Sequence, residues 1–128
     1  MENSFIDLII RLKNGYLVKK ERVESSYSKL NEKIVEKLLE LRFIKSFKVI
    51  GDKIKKIEIE LLYKDNIPAL TDVKIFSKPG RRYYVSYKDL KPVFSHYGLA
   101  IISTSQGILT NKEAKNKKVG GELLFYIW

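Results

Sequence analysis

The stretch I-I-S-T-S-Q-G-I-L-T carries small hydroxyl side chains that are candidates for chemistry. Ser103, Thr104 and Ser105 lie between two apolar pairs and lead into Gly107. A serine nucleophile needs a neighbouring base, and the one histidine, His96, lies in a stretch with no catalytic pattern. The G-x-S-x-G elbow and the glycine-rich phosphate loops are absent too. The sequence therefore predicts neither an enzyme nor a small-molecule substrate.

The same hydroxyl loop suits recognition better than catalysis. Hydroxyl groups donate and accept hydrogen bonds, and they reach base edges, 2′-hydroxyls or phosphates without steric bulk. Gly107 permits a positive φ or a close backbone approach. Thr110 and Glu113 have the spacing of a capping box, so we expect a helix there, with Lys112 in its first turn and its N-terminus near a phosphate. The alternative is an ordinary hairpin turn followed by a capped helix.

A second candidate is the basic turn S-K-P-G-R-R-Y-Y. The Pro-Gly pair predicts a tight turn, which fixes the flanking side chains. Lys78, Arg81 and Arg82 supply charge for phosphates, and Tyr84 beside them supplies a stacking surface. A basic hairpin tip without a ligand is the alternative.

A third candidate is Gly120-Gly121-Glu122. Two glycines before a strand allow close backbone approach. The carboxylate of Glu122 is unusual among so many cations. It either orients a neighbouring side chain or accepts a hydrogen bond from a base amino group, and a plain exposed strand residue is an equal alternative.

The charge balance of the 128-residue chain indicates a polyanionic partner. Lys and Arg number 25 against 15 Asp and Glu, which gives a net charge of +10 and a pI near 9.7. Nucleic acid is the first expectation and an anionic membrane surface the second. There is no Cys and one His, so Cys- or His-based metal sites are excluded, and we expect no cofactor. The apolar runs are too short to span a bilayer, and the opening residues lack a signal-peptide pattern.

The first half of the chain alternates helical and strand patterns. S-F-I-D-L-I-I-R-L-K-N-G predicts a helix with Ser4 as its N-cap and Gly15 as its stop. Arg11 and Asn14 on this helix either face RNA or simply keep the helix surface solvated. We include both among the candidate RNA contacts. A strand at E-R-V-E-S-S-Y, a helix capped by Ser28 and a hairpin around G-D follow.

K-D-N-I-P-A, at residues 64–69, predicts a linker. We therefore expect domains at 1–65 and 66–128. The second half predicts strands at A-L-T-D-V-K-I-F, Y-Y-V-S-Y, L-A-I-I-S-T, I-L-T and G-G-E-L-L-F-Y-I-W, with short helices between them. The fold class is α+β, with a small N-terminal α/β domain packed on a mainly β C-terminal domain.

Three of these segments together resemble the family of small-subunit ribosomal protein number eight. The C-terminal run G-L-A-I-I-S-T-S-Q-G-I-L-T through G-G-E-L-L-F-Y-I-W is the most specific, and S-K-P-G-R-R-Y-Y and F-I-D-L-I-I-R-L-K-N-G match in order and spacing. The sequence departs from the family pattern in two places. Asn3-Ser4 replace a common Asp-Pro, and Gln106 stands where many relatives carry Lys or Arg, so one phosphate contact is not carried over from the family while the binding mode is.

The resemblance implies a non-catalytic protein that binds the central domain of small-subunit rRNA and helps subunit assembly. Ser103, Thr104, Ser105 and Gly107 are the residues carried over as the RNA-reading loop, with Gly120-Gly121-Glu122 beside it. Repression of translation through its own operon mRNA is the alternative role. The implied location is the cytoplasmic ribosome, of bacterial or organellar origin, next to other small-subunit proteins and away from membranes.

Overall fold

The computed structural model describes residues 4–90 and 98–128. The chain divides into two compact units, Met1–Thr71 and Asp72–Trp128. Both combine helices with antiparallel sheets, so the predicted α+β class is confirmed.

The first unit begins with a helix and contains a three-stranded sheet and a small hairpin. Its elements are α1 Ser4–Leu17, β1 Arg22–Ser26, α2 Lys29–Glu40, β2 Ser46–Ile50, β3 Lys56–Glu60, β4 Tyr63–Lys64 and β5 Ile67–Pro68. The sheet has the order β1-β3-β2 and is antiparallel throughout, so β1 and β2 are its edges. Ile57 and Ile59 of β3 are fully buried, as their alternation with Glu58 and Glu60 predicts. The Ser28 cap of α2 is also confirmed, since its side chain accepts from the Asn31 N–H at 3.0 Å.

The prediction that Gly15 ends α1 is wrong. The helix continues to Leu17, and Gly15 is buried inside it. A Cβ at this position would lie 2.5 Å from Val23 Cγ1 and 3.3 Å from Leu61 Cδ1. The glycine is therefore needed for close helix–sheet packing rather than for a left-handed stop.

The predicted linker at 64–69 is also a structured element. Tyr63 pairs with Pro68 and Lys64 with Ile67, and the two turn residues, Asp65 and Asn66, have φ of 53° and 66°. Residues of the Asn and Asp type tolerate this conformation, which two-residue hairpin turns require. The turn-rich composition of 64–69 thus marks a hairpin. The domain boundary between 65 and 66 stays a prediction.

Tyr16 links three parts of the first unit through its hydroxyl. The Tyr16 hydroxyl donates to the Phe43 carbonyl at 2.5 Å and accepts from the Leu62 N–H at 3.0 Å. Its ring meets Tyr63 edge to face, with centroids 5.5 Å apart. Burial raises the pKa of Tyr16 to about 12, although the hydrogen bond from Leu62 works against this.

Tyr16→Phe is expected to lower the free energy of unfolding by about 1–3 kcal/mol at neutral pH, because two partly buried backbone groups, the Phe43 carbonyl and the Leu62 N–H, lose their partner. The raised pKa also gives a sign for alkaline pH. Between pH 10 and about 12 the unfolded chain has lost the Tyr16 proton and the folded chain keeps it, so stability falls as pH rises. Denaturant unfolding from pH 9 to 12 checks this, and the Phe variant should show a shallower alkaline loss than wild type.

In its described residues, the second unit contains a sheet with one short α-helix on it. Its elements are β6 Val73–Ile75, β7 Tyr84–Val85, a 3₁₀ turn at Tyr87–Asp89, β8 Leu99–Thr104, β9 Gly107–Thr110, α3 Asn111–Lys117 and β10 Gly121–Ile127. The strand order is β6-β10-β8-β9, and β7 pairs with the start of β10. The core under α3 is formed by small and branched side chains: Leu90, Ala100, Ile102, Leu109, Ala114 and Leu123.

Two predicted strands of this unit are shorter than their sequence patterns. Of the pattern A-L-T-D-V-K-I-F only Val73–Ile75 is a strand, and of Y-Y-V-S-Y only Tyr84–Val85 is one. The chain between these two strands turns at Pro79-Gly80 and makes separate backbone hydrogen bonds to β10. The capping box of α3 is confirmed: Glu113 N donates to Thr110 Oγ1 at 3.2 Å, and Thr110 N donates to Glu113 Oε1 at 2.9 Å. His96 and the rest of residues 91–97 lie outside the described residues.

Candidate nucleic-acid interface

Four strands of the second unit bring three candidate residues into one row. Ser103 pairs in register with Ile108 on one side and with Glu122 on the other, and Glu122 pairs in turn with Tyr84. Residues directly opposite each other in an antiparallel ladder point to the same face of the sheet. With about 4.8 Å between neighbouring strands, Ser103, Glu122 and Tyr84 lie within roughly 10 Å of one another on that face. We call these three residues the polar row.

The hydroxyl loop is a tight turn that presents Ser105 to solvent. Ser105 and Gln106 connect β8 to β9 and both are exposed. Thr104 holds the turn, since its Oγ1 donates to the Gly107 carbonyl at 2.9 Å and accepts from the Gln106 N–H at 3.1 Å. Gly107 has φ of 108°, in the region that favours glycine. Thr104 and Gly107 therefore shape the loop, while Ser105 is placed to contact a ligand.

Gly120 and Gly121 let the start of β10 approach its neighbouring strands closely. A Cβ on Gly121 would lie 2.1 Å from the Ser103 carbonyl oxygen, and one on Gly120 would lie 2.4 Å from the Val85 carbonyl oxygen. Both obstacles are backbone atoms of neighbouring strands. The glycines are thus required to hold β10 against β7 and β8, and so to keep the polar row together.

The basic turn closes next to this row. Lys78 and Arg81 exchange backbone hydrogen bonds of 3.2 and 2.9 Å around Pro79-Gly80, where Gly80 has φ of 73°. The side chains of Lys78 and Arg81 are exposed. Arg82 Nη1 lies 3.3 Å from Glu122 Oε2, so the carboxylate orients a neighbouring cation, which is one of the two roles that the sequence left open.

Ser77 fixes the basic turn and was not singled out from the sequence. It is fully buried; its hydroxyl donates to the Leu123 carbonyl at 2.9 Å and accepts from the Tyr83 N–H at 3.0 Å. One side chain therefore ties the end of the turn to β10. Its position directly before a Lys-Pro-Gly turn was the available signal, since serine hydroxyls often bond to turn backbone.

Ser77→Ala is expected to lower the free energy of unfolding by about 1–3 kcal/mol, because the Leu123 carbonyl and the Tyr83 N–H both lose a buried partner. Chemical denaturation of the purified chain measures this. Ser86→Ala is the matched control, since the bond that the Ser86 hydroxyl accepts from Lys88 N–H, at 3.3 Å, is exposed. Equal losses for the two variants would contradict the anchoring role of Ser77.

Lys112 is an exposed residue in the first turn of α3. The backbone N–H groups of Thr110 and Glu113 are already bonded within the capping box, and the Glu113 carboxylate occupies that end of the helix. The helix N-terminus therefore offers fewer amides to a phosphate than the sequence suggested. Lys112 can therefore attract a phosphate through the charge of its exposed side chain.

Arg11 and Asn14 belong to the first unit and are not part of the polar row. Both are exposed on α1, and Arg11 Nε lies 2.8 Å from Asp7 Oδ2. Their assignment as RNA contacts stays a prediction.

Two features, a metal-binding cluster and a membrane-spanning helix, are not found in the described residues. Across 4–90 and 98–128, no group of three or more His, Cys, Asp or Glu side chains is arranged to hold a metal ion. None of the helices in the described ranges combines the length and apolar character that a membrane span needs.

Comparison with known proteins adds a family to this geometry. The sequence model of the family Ribosomal protein S8 matches residues 3–128. The small ribosomal subunit protein uS8 of Dictyoglomus turgidum is 44% identical over 123 residues, covering 95% of this chain and 94% of that protein. The uS8 protein of Mycoplasma mobile is 43% identical over 123 residues, covering 95% and 92% of the two chains. The uS8c protein of Tupiella akineta is 44% identical over 124 residues, covering 95% of each.

These matches extend over nearly the whole chain, and residues 3–128, which the family model matches, include every candidate residue named above. The resemblance read from the three sequence segments is therefore confirmed. The chain belongs to the Ribosomal protein S8 family, which gives it a structural role in the small ribosomal subunit, in association with the rRNA and proteins of that particle.

Proposed function

We propose that this chain binds the central domain of small-subunit rRNA directly, helps that domain to assemble, and performs no catalysis. The observation that carries the proposal is the polar row, in which strand register places Ser103, Glu122 and Tyr84 side by side. The exposed Ser105 follows Ser103 on the same hairpin. Hydroxyls, a carboxylate and an aromatic ring can meet bases, 2′-hydroxyls and sugar without requiring a regular duplex.

Charge supplies affinity and the polar row supplies selectivity. Lys78, Arg81 and Lys112 are exposed cations in the same unit, and each phosphate they neutralise makes binding more sensitive to salt. Double-helical RNA hides its base edges in a deep, narrow groove, so a compact loop reads irregular, non-Watson–Crick sites instead. Shape readout by Ser105 and the polar row is therefore the proposed basis of specificity.

The second part of the chain, residues 66–128, is proposed as the main RNA-binding domain. All candidate contacts except Arg11 and Asn14 lie in it. The supporting observation is that one set of hydrogen-bonded strands holds the hydroxyl loop, the glycine turn and Tyr84 together.

Ser105→Ala is expected to weaken binding to a central-domain rRNA fragment by about twofold to tenfold, the range for one lost hydrogen bond. Affinity for an unrelated hairpin should not change, because that RNA is held by charge. Titrations of both RNAs at two salt concentrations measure this. Equal binding of the two RNAs by wild type, lost together in high salt, would contradict selective recognition.

Regulation through the chain's own operon mRNA stays a prediction within the same proposal. An interface that reads RNA shape would accept a messenger with the same irregular stem. The leader transcript is therefore a useful third RNA in the titration. If it binds by the same surface, Ser105→Ala should weaken it to the same degree as the rRNA fragment.

A further inference from the structure

A groove in the first unit runs along the free edge of its sheet. β1 is an edge strand, and all five of its residues, 22–26, line one or both of two adjoining cavities of about 590 and 210 Å³. The opposite wall is formed by one stripe of α1 and the residue after it: Asp7, Arg11, Asn14 and Val18. Arg11 and Glu24 line both cavities, so the two form one groove. We call it the α1–β1 groove, and five residues of strand give it a length of about 17 Å.

The groove presents hydrogen-bonding groups that are left unused by the described residues of the first unit. An edge strand pairs on one side only, so alternate N–H and C=O groups of β1 point outward. Ser25 is 3% exposed, and among the described residues its hydroxyl has no hydrogen-bond partner. Buried hydroxyls are normally bonded, so the Ser25 hydroxyl is available to bond to a group that enters the groove. At the end of the strand, the Ser26 carbonyl is already used by Asn31 Nδ2 at 3.0 Å.

The charges of the groove fit an acidic occupant. Five basic side chains line it: Arg11, Lys20, Arg22, Lys55 and Lys56. The lining also has three carboxylates, of which Asp7 lies 2.8 Å from Arg11 and Glu24 lies 3.9 Å from Lys56, so the excess of positive charge comes from Lys20, Arg22 and Lys55 against Glu58. Exposed apolar side chains also lie along it, with Val18 66% exposed and Ile54 79% exposed. Such a lining suits side chains that alternate between acidic and apolar along an extended strand.

We propose that the α1–β1 groove binds an extended, acidic peptide segment of a neighbouring protein in the small subunit. The segment adds to β1 as a fourth strand, with its backbone bonded to the free edge and one polar group bonded to Ser25 Oγ. RNA fits the groove less well. A strand edge offers backbone N–H and C=O groups at the spacing of a peptide backbone, which ribose and phosphate do not match.

A strand-forming acidic peptide, acetyl-Asp-Val-Glu-Val-Asp-Val-Glu-amide with a fluorophore, is the probe. Anisotropy should show saturable binding to the full chain, and hydrogen exchange should show new protection at residues 22–26. Two peptides of the same charge, methylated on alternate backbone nitrogens in either register, separate strand addition from simple charge attraction. At least one of the methylated peptides should bind the chain about tenfold more weakly than the unmethylated peptide.

Val18→Glu and Leu17→Glu form a matched pair. Val18 lines the groove and Leu17 does not, and both are exposed, so neither change should unfold the chain. We expect Val18→Glu to lower the affinity for the peptide about tenfold, and Leu17→Glu to lower it less than about twofold. Ser25→Ala should weaken the peptide without lowering thermal stability, because no hydrogen bond within the described residues is lost.

Three results would overturn the proposal. One is no peptide binding at about 1 mM, and another is undiminished binding of both methylated peptides. The third is that Val18→Glu weakens binding of the central-domain rRNA fragment but not binding of the peptide, which would make the groove an RNA-binding surface. The polar row and Ser105 lie in the other unit. The rRNA titration of the Ser105 variant therefore tests the proposed function, whatever the peptide experiment shows.

Discussion

Gly121→Ala is expected to destabilise the second unit by about 3 kcal/mol and to weaken rRNA binding with it. The added Cβ would lie 2.1 Å from the Ser103 carbonyl oxygen and 3.1 Å from Thr104 Cα. Backbone cannot rotate away as a side-chain tip can, so β8 and β10 must separate, and overpacking of this kind costs about 1–3 kcal/mol or more. Ser103 and Glu122 face each other across that same pair of strands, so the polar row is lost together with the stability.

Gly107→Ala is the control for this substitution. Gly107 has φ of 108° but no atom within 4 Å of an added Cβ, so the variant measures conformational strain alone, about 1–2 kcal/mol. Thermal and denaturant unfolding of both variants, with rRNA titration of each, makes the comparison. If Gly121→Ala costs no more than Gly107→Ala, the close approach of β8 and β10 is not what holds this surface.

Tyr84→Ala is expected to weaken central-domain rRNA binding by about fivefold to a hundredfold while leaving the fold intact. The Tyr84 side chain is 70% exposed and lies in the polar row beside Glu122. Stacking of a base on an aromatic ring contributes about 1–3 kcal/mol, and an exposed ring contributes little to folding. This predicts a loss of affinity with an almost unchanged unfolding midpoint.

Tyr84→Phe separates stacking from hydrogen bonding at this position. A phenyl ring keeps the stacking surface, so the Phe variant should bind within about twofold of wild type. Filter binding or calorimetry with the rRNA fragment, together with denaturation of each variant, provides both readouts. If Ala and Phe lose affinity equally, the hydroxyl rather than the ring makes the contact. If neither loses affinity, Tyr84 lies outside the interface.

The elements with strong local signals were predictable. The Ser28 cap, the Thr110–Glu113 capping box and the alternation of Ile57 and Ile59 are each confirmed. All three follow from interactions between residues close in sequence, which periodicity and spacing describe directly.

The features that the sequence did not predict have two other causes, which are packing against distant residues and turn residues that different elements share. Gly15 reads as a helix stop in isolation, but Val23 and Leu61 require a glycine inside the helix. Residues 64–69 read as a linker because hairpin turns and linkers use the same residue types. Ser77 was missed because its two partners, Leu123 and Tyr83, meet only in the folded unit.

The candidate site was predictable as a set of segments but not as a surface. The sequence indicated the hydroxyl loop, the glycine turn and Tyr84 separately, each with its own chemical reason. Strand register then aligned Ser103, Glu122 and Tyr84, which the sequence does not reveal, because β7, β8 and β10 are separated by long connections. The orientation of Arg82 by Glu122 likewise depends on that alignment.

The central claim is that the hydroxyl loop lies against an irregular part of the rRNA central domain. The chain has no cysteine, so Ser105→Cys creates a single attachment site for an iron chelate that cleaves nearby RNA by hydroxyl radicals. Lys33→Cys, on an exposed position of α2, is the control. Bound to the intact rRNA, the Ser105 probe should cleave a few nucleotides clustered at one irregular stem of the central domain. Cleavage spread along regular duplex, or the same pattern from both probes, would contradict the claim.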